Sequence, residues 1–331
     1  MGVKVALRSM RPLLINTSLA LATVVVMLLL AEGMLRLYRP FRPVPRTYVG
    51  ENKNRGSRDM IADAVLGWKF RPNFNGFYQS NAQGFRAAPH FDPNPPRKII
   101  ALAGESFTYG LFVEYQKTFA WLIETGLPGS YVDNMGIPGF GLDQIWLTVR
   151  TQALPLHPQL VAVAFNIGDL TSSEEAYRPI EGYNKPTFKL VDGRLVPKTA
   201  EDRPNSLVRF MQRHSSVWRV VRLAARTLGY HYPLGEWWTL NAAILDAIRD
   251  DCRRAAVPVL FIYIPRCSGG HTESFPTLRV YMARNQANFI DLSEGGFALT
   301  PDMYIPGDGH LNAKGHRQVA DAVLRWLQQN P

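Results

Sequence analysis

Cysteine is nearly absent from this chain: Cys252 and Cys267 are the only two in 331 residues. The strand expected between them, over 257–264, would carry the backbone roughly 25 Å at ~3.3 Å per residue. That separation is too large for a disulfide, so no crosslink is expected and cysteine usage says nothing about the compartment. Low-complexity tracts and internal repeats are missing too, which leaves an ordinary globular composition with ample apolar residues for a core. Acidic residues are in deficit, 27 Asp and Glu against 37 Lys and Arg, for a net charge of +10. A surplus of that size invites a nucleic-acid reading, but its distribution argues otherwise. Within residues 1–46, Lys4, Arg8, Arg11, Arg36, Arg39, Arg42 and Arg46 face a single acid, Glu32, a net +6 that leaves only +4 for the rest. Most of the excess flanks a hydrophobic segment, as juxtamembrane basic residues do. No nucleic-acid partner is expected.

That segment is the first thing the sequence does have. Pro12 to Ala31 are 20 uncharged residues, most of them Leu, Val and Ala, and as a helix they reach roughly 30 Å, the thickness of a bilayer core. A cleaved signal peptide would need a shorter apolar region and a small-x-small site, and Ala31-Glu32-Gly33 is a poor one. The expectation is therefore an uncleaved signal anchor over 12–35. Both flanks are basic, so the positive-inside rule does not settle orientation. The short arm 1–11 is read as cytoplasmic, with the domain outside the membrane. Residues 36–97 read as a linker and extension: Pro40, Pro43 and Pro45 stiffen the exit, and the remainder has no helical period. Leu66-Gly67-Trp68 and Asn81 to Arg86 are expected to pack against the main domain's edge, with Arg86 closing an ion pair.

From Lys98 the pattern alternates strand and helix. Strands are expected at 98–103, 130–134, 160–165, 257–264 and 289–292, and helices at 118–125, 142–153, 240–255 and 313–328. Units of this length favour right-handed crossovers and a parallel sheet, so the fold class is α/β, a three-layer sandwich, over 98–331. Residues 170–237 interrupt the rhythm with a hairpin turning at Asp192-Gly193 and one or two helices over 206–228. This insertion reads as a source of substrate selectivity, a docking surface or a passive cover.

Three loops at the carboxyl ends of the strands carry chemistry. Ile99 to Ala103, an apolar run, stops at Gly104 and presents Ser106 on a turn, where an open α/β sheet places its site. Asp308 and His310 stand two residues apart before the last helix. They could supply the base that a serine nucleophile needs and the carboxylate that orients it. His316 lies inside the helix pattern, where packing accounts for it. Gly136, Gly139 and Gly141 follow a strand directly, and backbone N–H groups there could approach an oxyanion. No Gly-Lys-Ser/Thr follows them, and their order is wrong for a dinucleotide fingerprint. Thr108 stands where G-x-S-x-G would need a glycine. No cofactor and no metal are called for.

With these residues in view, the chain resembles the SGNH, or GDSL-type, hydrolases, and among them the bacterial members with an N-terminal membrane anchor. Gly104 to Gly110 matches the first block, Asn134 to Gly139 the second, and Asp308 to Asn312 the last. The resemblance implies Ser106 as nucleophile, His310 as base, Asp308 as orienter, and the Ser106 and Gly139 N–H groups as oxyanion donors. It implies a flavodoxin-like sheet and an esterase or acyltransferase. The substrate would be a small ester or an acylated cell-surface carbohydrate, with a membrane acyltransferase as partner in the transfer reading. The third block departs from the family's Gly-x-Asn-Asp. Here the chain reads Phe165-Asn166-Ile167-Gly168-Asp169, with glycine where the amide donor belongs. Asn166 is two residues early, roughly 6.6 Å along an extended strand, and would serve only if a bulge or a shift brought it forward. The final block is also one residue shorter between Asp and His than in many members. A weakened member that binds glycan or a partner is the competing reading.

Overall fold

The computed structural model of the protein describes residues 2–37, 60–86, 98–173, 177–178, 183–199, 210–211, 215–218, 220–221, 234–268 and 270–330. The chain divides into two compact units, Met1–Pro45 with Arg203–Pro233, and Arg46–Asp202 with Leu234–Pro331.

In the first unit, helix α1 (Gly2–Leu37) carries a stretch, Ile15–Leu37, that is long and apolar enough to cross a membrane, by length and composition. It is the one such helix among the described residues. Its Leu, Val and Met side chains are exposed from Leu19 to Met34 and again at Leu37, an arrangement suited to lipid and costly in water. Glu32 and Arg36, ion-paired at 2.8 Å, are the two charged residues on this stretch. The Glu32 carboxylate accepts the Ser215 hydroxyl at 2.9 Å and the N–H groups of Ser216 at 2.9 Å and Val217 at 3.0 Å. The acid thus caps a helical turn from the 170–237 insertion, satisfying donors that a helix start leaves orphaned. The proline-rich exit at 40–45 and most of the helices expected over 206–228 lie outside the described residues.

The second unit is built on a five-stranded, all-parallel sheet. Its strands are β1 (Lys98–Gly104), β2 (Ser130–Gly136), β3 (Leu160–Phe165), β4 (Val259–Tyr263) and β5 (Asn288–Asp291). The spatial order is β5-β4-β3-β1-β2, with Ala101 beside both Asp133 and Val161. The runs lack polar alternation because both faces are covered. Ala101 and Ala103 point into one apolar cluster and Ile100 and Leu102 into the other. The first cluster is closed by α4 (Leu142–Thr148), α6 (Leu234–Arg254) and α7 (Pro276–Arg284), through Ile145, Ile248 and Met282. The second is closed by α3 (Phe119–Gly126) and α8 (Ala313–Gln329), through Phe119, Ile123, Val319 and Val323. The result is the three-layer α/β sandwich expected.

Most boundaries fall within two residues of the pattern. Helix α6 starts earlier than expected, at Leu234, and α4 gives way to a π-helical stretch, Val149–Ala153, where a continuous helix was expected. Helix α7 was not foreseen: only Leu278 and Met282 are buried on it, too few apolar positions to set up a period. Cys252 and Cys267 are free, as their separation requires. The hairpin Phe188–Val191 with Arg194–Pro197 turns at Asp192-Gly193. Leu66 to Trp68 does pack on the main domain: the Trp68 indole N–H donates to the Pro138 carbonyl at 3.2 Å, and the Gln144 amide to that of Leu66 at 2.7 Å.

Candidate active site

In this strand order the direction of winding reverses between β1 and β3, and loops leaving the two strands diverge there to open a crevice. Ser106 follows β1 and Asn166 follows β3. Both therefore sit at the switch point.

Ser106 is the first residue of a single helical turn, α2 (Ser106–Tyr109). Glu105 caps it: its carboxylate accepts the N–H of Phe107 at 2.9 Å and, more tightly, the N–H of Ser106. Gly110, with φ of 78°, closes the turn. Arg86 holds it from behind. The guanidinium is buried and forms no ion pair among the described residues, contrary to expectation. It donates to the carbonyls of Tyr109 at 2.6 Å, of Gly110, and of Val113 at 2.6 Å, and lies over the Tyr78 and Tyr109 rings. A turn this short leaves several carbonyls without partners, and a planar fork of donors suits them better than a carboxylate would suit the arginine. Gly136, at the end of β2, packs directly on α2: a β-carbon there would stand 2.4 Å from the Tyr109 nitrogen.

Across the crevice, His310 Nε2 lies 2.8 Å from Ser106 Oγ, and His310 Nδ1 is hydrogen-bonded to Asp308. The His310 N–H also donates to Asp308 Oδ1 at 3.1 Å, which fixes the two-residue spacing as one tight turn. The bond to His310 holds Asp308 below the usual carboxylate range, against the desolvation that would raise it. With Nδ1–H directed at the carboxylate, the tautomer leaves Nε2 free to accept the serine proton. Phe107 and Phe112 flank the imidazole at ring separations of 5.0 and 5.5 Å. Phe112 is exposed and has φ of 67°, an uncommon conformation for an aromatic residue. His316 is elsewhere: buried on α8, its Nδ1 accepts the Phe119 N–H at 3.3 Å, and burial pulls it down to about 3, so it stays neutral.

The three groups expected as oxyanion donors lie in two places. Asn166 is neither a bulge nor a shifted strand residue. It caps α5 (Ile167–Ser172), its Oδ1 accepting the Gly168 N–H at 2.6 Å. Capping turns the amide nitrogen back toward β1, where it donates to Glu105 Oε1 at 3.1 Å. The Ser106 N–H and Ser106 Oγ meet the other oxygen of the same carboxylate. Two of the three expected donors thus converge on one acidic group, Glu105, which sequence reasoning passed over although it lies inside the first block. Gly139, the third, is buried with φ of 84°, and its N–H donates to no described residue. Its loop is pinned by a wholly buried ion pair between Asp143 of α4 and Lys185 of the insertion. Burial raises the Asp143 carboxyl, and the Lys185 ammonium beside it opposes the rise. Nothing in the sequence marked Lys185. No cluster of three or more His, Cys, Asp or Glu able to hold a metal ion occurs among the described residues.

No protein-family model matches the chain, and no curated protein matches it. Among solved structures it is similar to a GDSL-like lipase from Bacteroides thetaiotaomicron, at 12% identity and a TM-score of 0.41, covering 72% of this chain and 92% of that one. It is also similar to a member of the lipolytic G-D-S-L family from Veillonella parvula, at 12% identity and a TM-score of 0.39, covering 69% and 97%. A variant of an acetyl-xylooligosaccharide esterase from Geobacillus matches at 14% identity and a TM-score of 0.42, covering 70% and 94%.

Proposed function

We propose that this chain is a membrane-anchored serine esterase of the GDSL type that cleaves or transfers a small acyl group, acetyl above all, on a cell-surface carbohydrate. One observation carries the reading: side chains 204 residues apart in sequence place His310 Nε2 2.8 Å from Ser106 Oγ, with Asp308 on the far nitrogen. A serine hydroxyl is a weak nucleophile until its proton has somewhere to go. In this reading His310 takes that proton as Ser106 attacks the ester carbonyl, and Asp308 stabilises the imidazolium that forms. The Ser106 and Gly139 N–H groups and the Asn166 amide hold the developing oxyanion. His310 then protonates the departing alcohol. Water as second nucleophile gives an esterase, a sugar hydroxyl an acyltransferase. The apolar stretch of α1 would hold the domain at the outer face of the cytoplasmic membrane, and the basic arm 1–11 would stay inside.

The Glu105 contacts favour a second reading. The Asn166 amide and the Ser106 N–H hold a carboxylate where a carbonyl oxygen would have to sit, and the family's amide at position 168 is missing. A chain in which Glu105 keeps that place would bind an acylated glycan or a partner without turnover. A fluorophosphonate probe and p-nitrophenyl acetate, applied to the full chain in detergent, separate the two. Labelling and turnover that vanish in S106A support the esterase. Folded protein that neither labels nor turns over, yet binds glycan, leaves only the second reading.

A further inference from the structure

The glycine in the third block has a neighbour that accounts for it. A β-carbon built on Gly168 would stand 2.8 Å from Arg266 Nη1 and 2.8 Å from Asn166 Oδ1. Any side chain at position 168 would therefore compete with this guanidinium for one place, beside the residue that offers its amide to the site. Arg266 is fixed there by its backbone. The Ile264 N–H donates to the Phe165 carbonyl at 2.9 Å, extending the β4–β3 ladder, and the Tyr304 hydroxyl donates to the Pro265 carbonyl at 2.6 Å. On the other side the Cys267 carbonyl lies 3.6 Å from a β-carbon built on Gly309, between Asp308 and His310. The segment 264–267 thus bridges the loop that carries the base and the turn that carries Asn166.

The guanidinium itself is unspent. Arg266 is exposed and has no side-chain hydrogen bond or ion pair among the described residues. The acids around it have other engagements. Asp169 accepts the Asn166 N–H at 2.8 Å, Asp308 binds His310, and Glu273 meets Arg266 only through a backbone hydrogen bond of 2.9 Å. A free fork of five donors at the rim of a crevice matches an oxyanion group, which it can grip through two parallel bonds. An asparagine in the third block would offer a neutral amide; this chain pairs a glycine with a cation.

We infer that Arg266 selects substrates that carry an anionic substituent, a carboxylate or a phosphate, on the sugar bearing the acyl ester. The inference rests on Ser106 being the nucleophile of an esterase only for its kinetic readout, because binding can be measured without turnover. Three acetylated methyl glycosides provide the test: glucoside, glucuronoside and glucoside 6-phosphate, each presented to the full chain in detergent. The kcat/KM for at least one anionic sugar should exceed that for the neutral one about three- to fivefold, the upper end for a charge pair that keeps one side in water. The ratio should fall toward one in R266Q, invert in R266E and largely survive in R266K. Which anion is preferred identifies the source of the charge. Calorimetry on S106A and on the S106A/R266Q double variant repeats the comparison as binding. If no ester turns over while the anionic sugar still binds in an Arg266-dependent way, the esterase reading fails and the anion site stands. Equal handling of charged and neutral sugars by the unmodified site, or a ratio indifferent to R266Q, overturns the inference.

Discussion

Replacing Asp133 by asparagine should make the protein more stable at pH 8, and by only about a quarter as much at pH 4.5. Asp133 lies on β2 and is 5% exposed, and its Oδ1 has no hydrogen-bond partner. Burial pushes its carboxyl up from 3.8 to about 7, since an unpaired carboxylate is costly away from water. Below about pH 4 the group is protonated in both states and contributes no pH dependence. Between that value and about 7 the unfolded chain gives up its proton while the folded chain keeps it. The unfolded state then binds fewer protons, and stability falls as pH rises, by about 1.4 kcal/mol per pH unit. The accumulated penalty above pH 7 is about 4 kcal/mol, to order of magnitude. D133N is nearly isosteric and cannot ionise, so it escapes the penalty. For a chain of 331 residues that corresponds to a melting temperature about 6 °C higher at pH 8. Intrinsic fluorescence from the seven tryptophans would follow thermal unfolding of the full chain and D133N in detergent from pH 4.5 to 8. The difference between the two proteins isolates this group from all others that titrate. A gap that does not widen with pH, or a D133N protein less stable at pH 8, would show that Asp133 is ionised in the fold, and the reasoning would fail.

Three further predictions concern the site. N166A should lower kcat on p-nitrophenyl acetate about 100- to 1,000-fold with little change in KM, as for loss of one oxyanion donor; an equal loss from a mere shift in KM would assign Asn166 to binding. R86A removes the buried donor to the Tyr109, Gly110 and Val113 carbonyls and should cost about 3 kcal/mol or more of stability. R86K should recover only part, because an ammonium cannot fork between Nη1 and Nη2 positions, and thermal melts of the three proteins would rank them. G136A sets a methyl group 2.4 Å from the Tyr109 nitrogen, a clash with backbone that no rotamer relieves. It should cost about 1–3 kcal/mol and slow fluorophosphonate labelling of Ser106, whereas labelling at the normal rate would mean that β2 and α2 part without cost.

The parts of this molecule that could be read from its sequence are those where one local rule suffices. Ile99 to Ala103 and Leu160 to Phe165 declare buried parallel strands by unbroken apolar character, and two covered faces are what the fold supplies. Asp308 and His310 announce each other because a two-residue separation in one loop leaves few arrangements. Position-by-position matching gave the wrong geometry for Asn166, however. Treated as a strand residue it stood too far from Ser106; as the cap of α5 it bends its amide back over β1, and only the end of β3 at Phe165 decides between these. Glu105 and Arg266 are harder still. Each acts through a partner more than sixty residues away or through space vacated by another residue, and no spacing encodes that. The missing amide at Gly168 reads in sequence as a loss. Set beside Arg266 Nη1 and the capping geometry of Asn166, it reads as an exchange. On the proposed reading Asn166 takes the donor's part from two positions earlier, and Arg266 Nη1 stands where a side chain at 168 would begin.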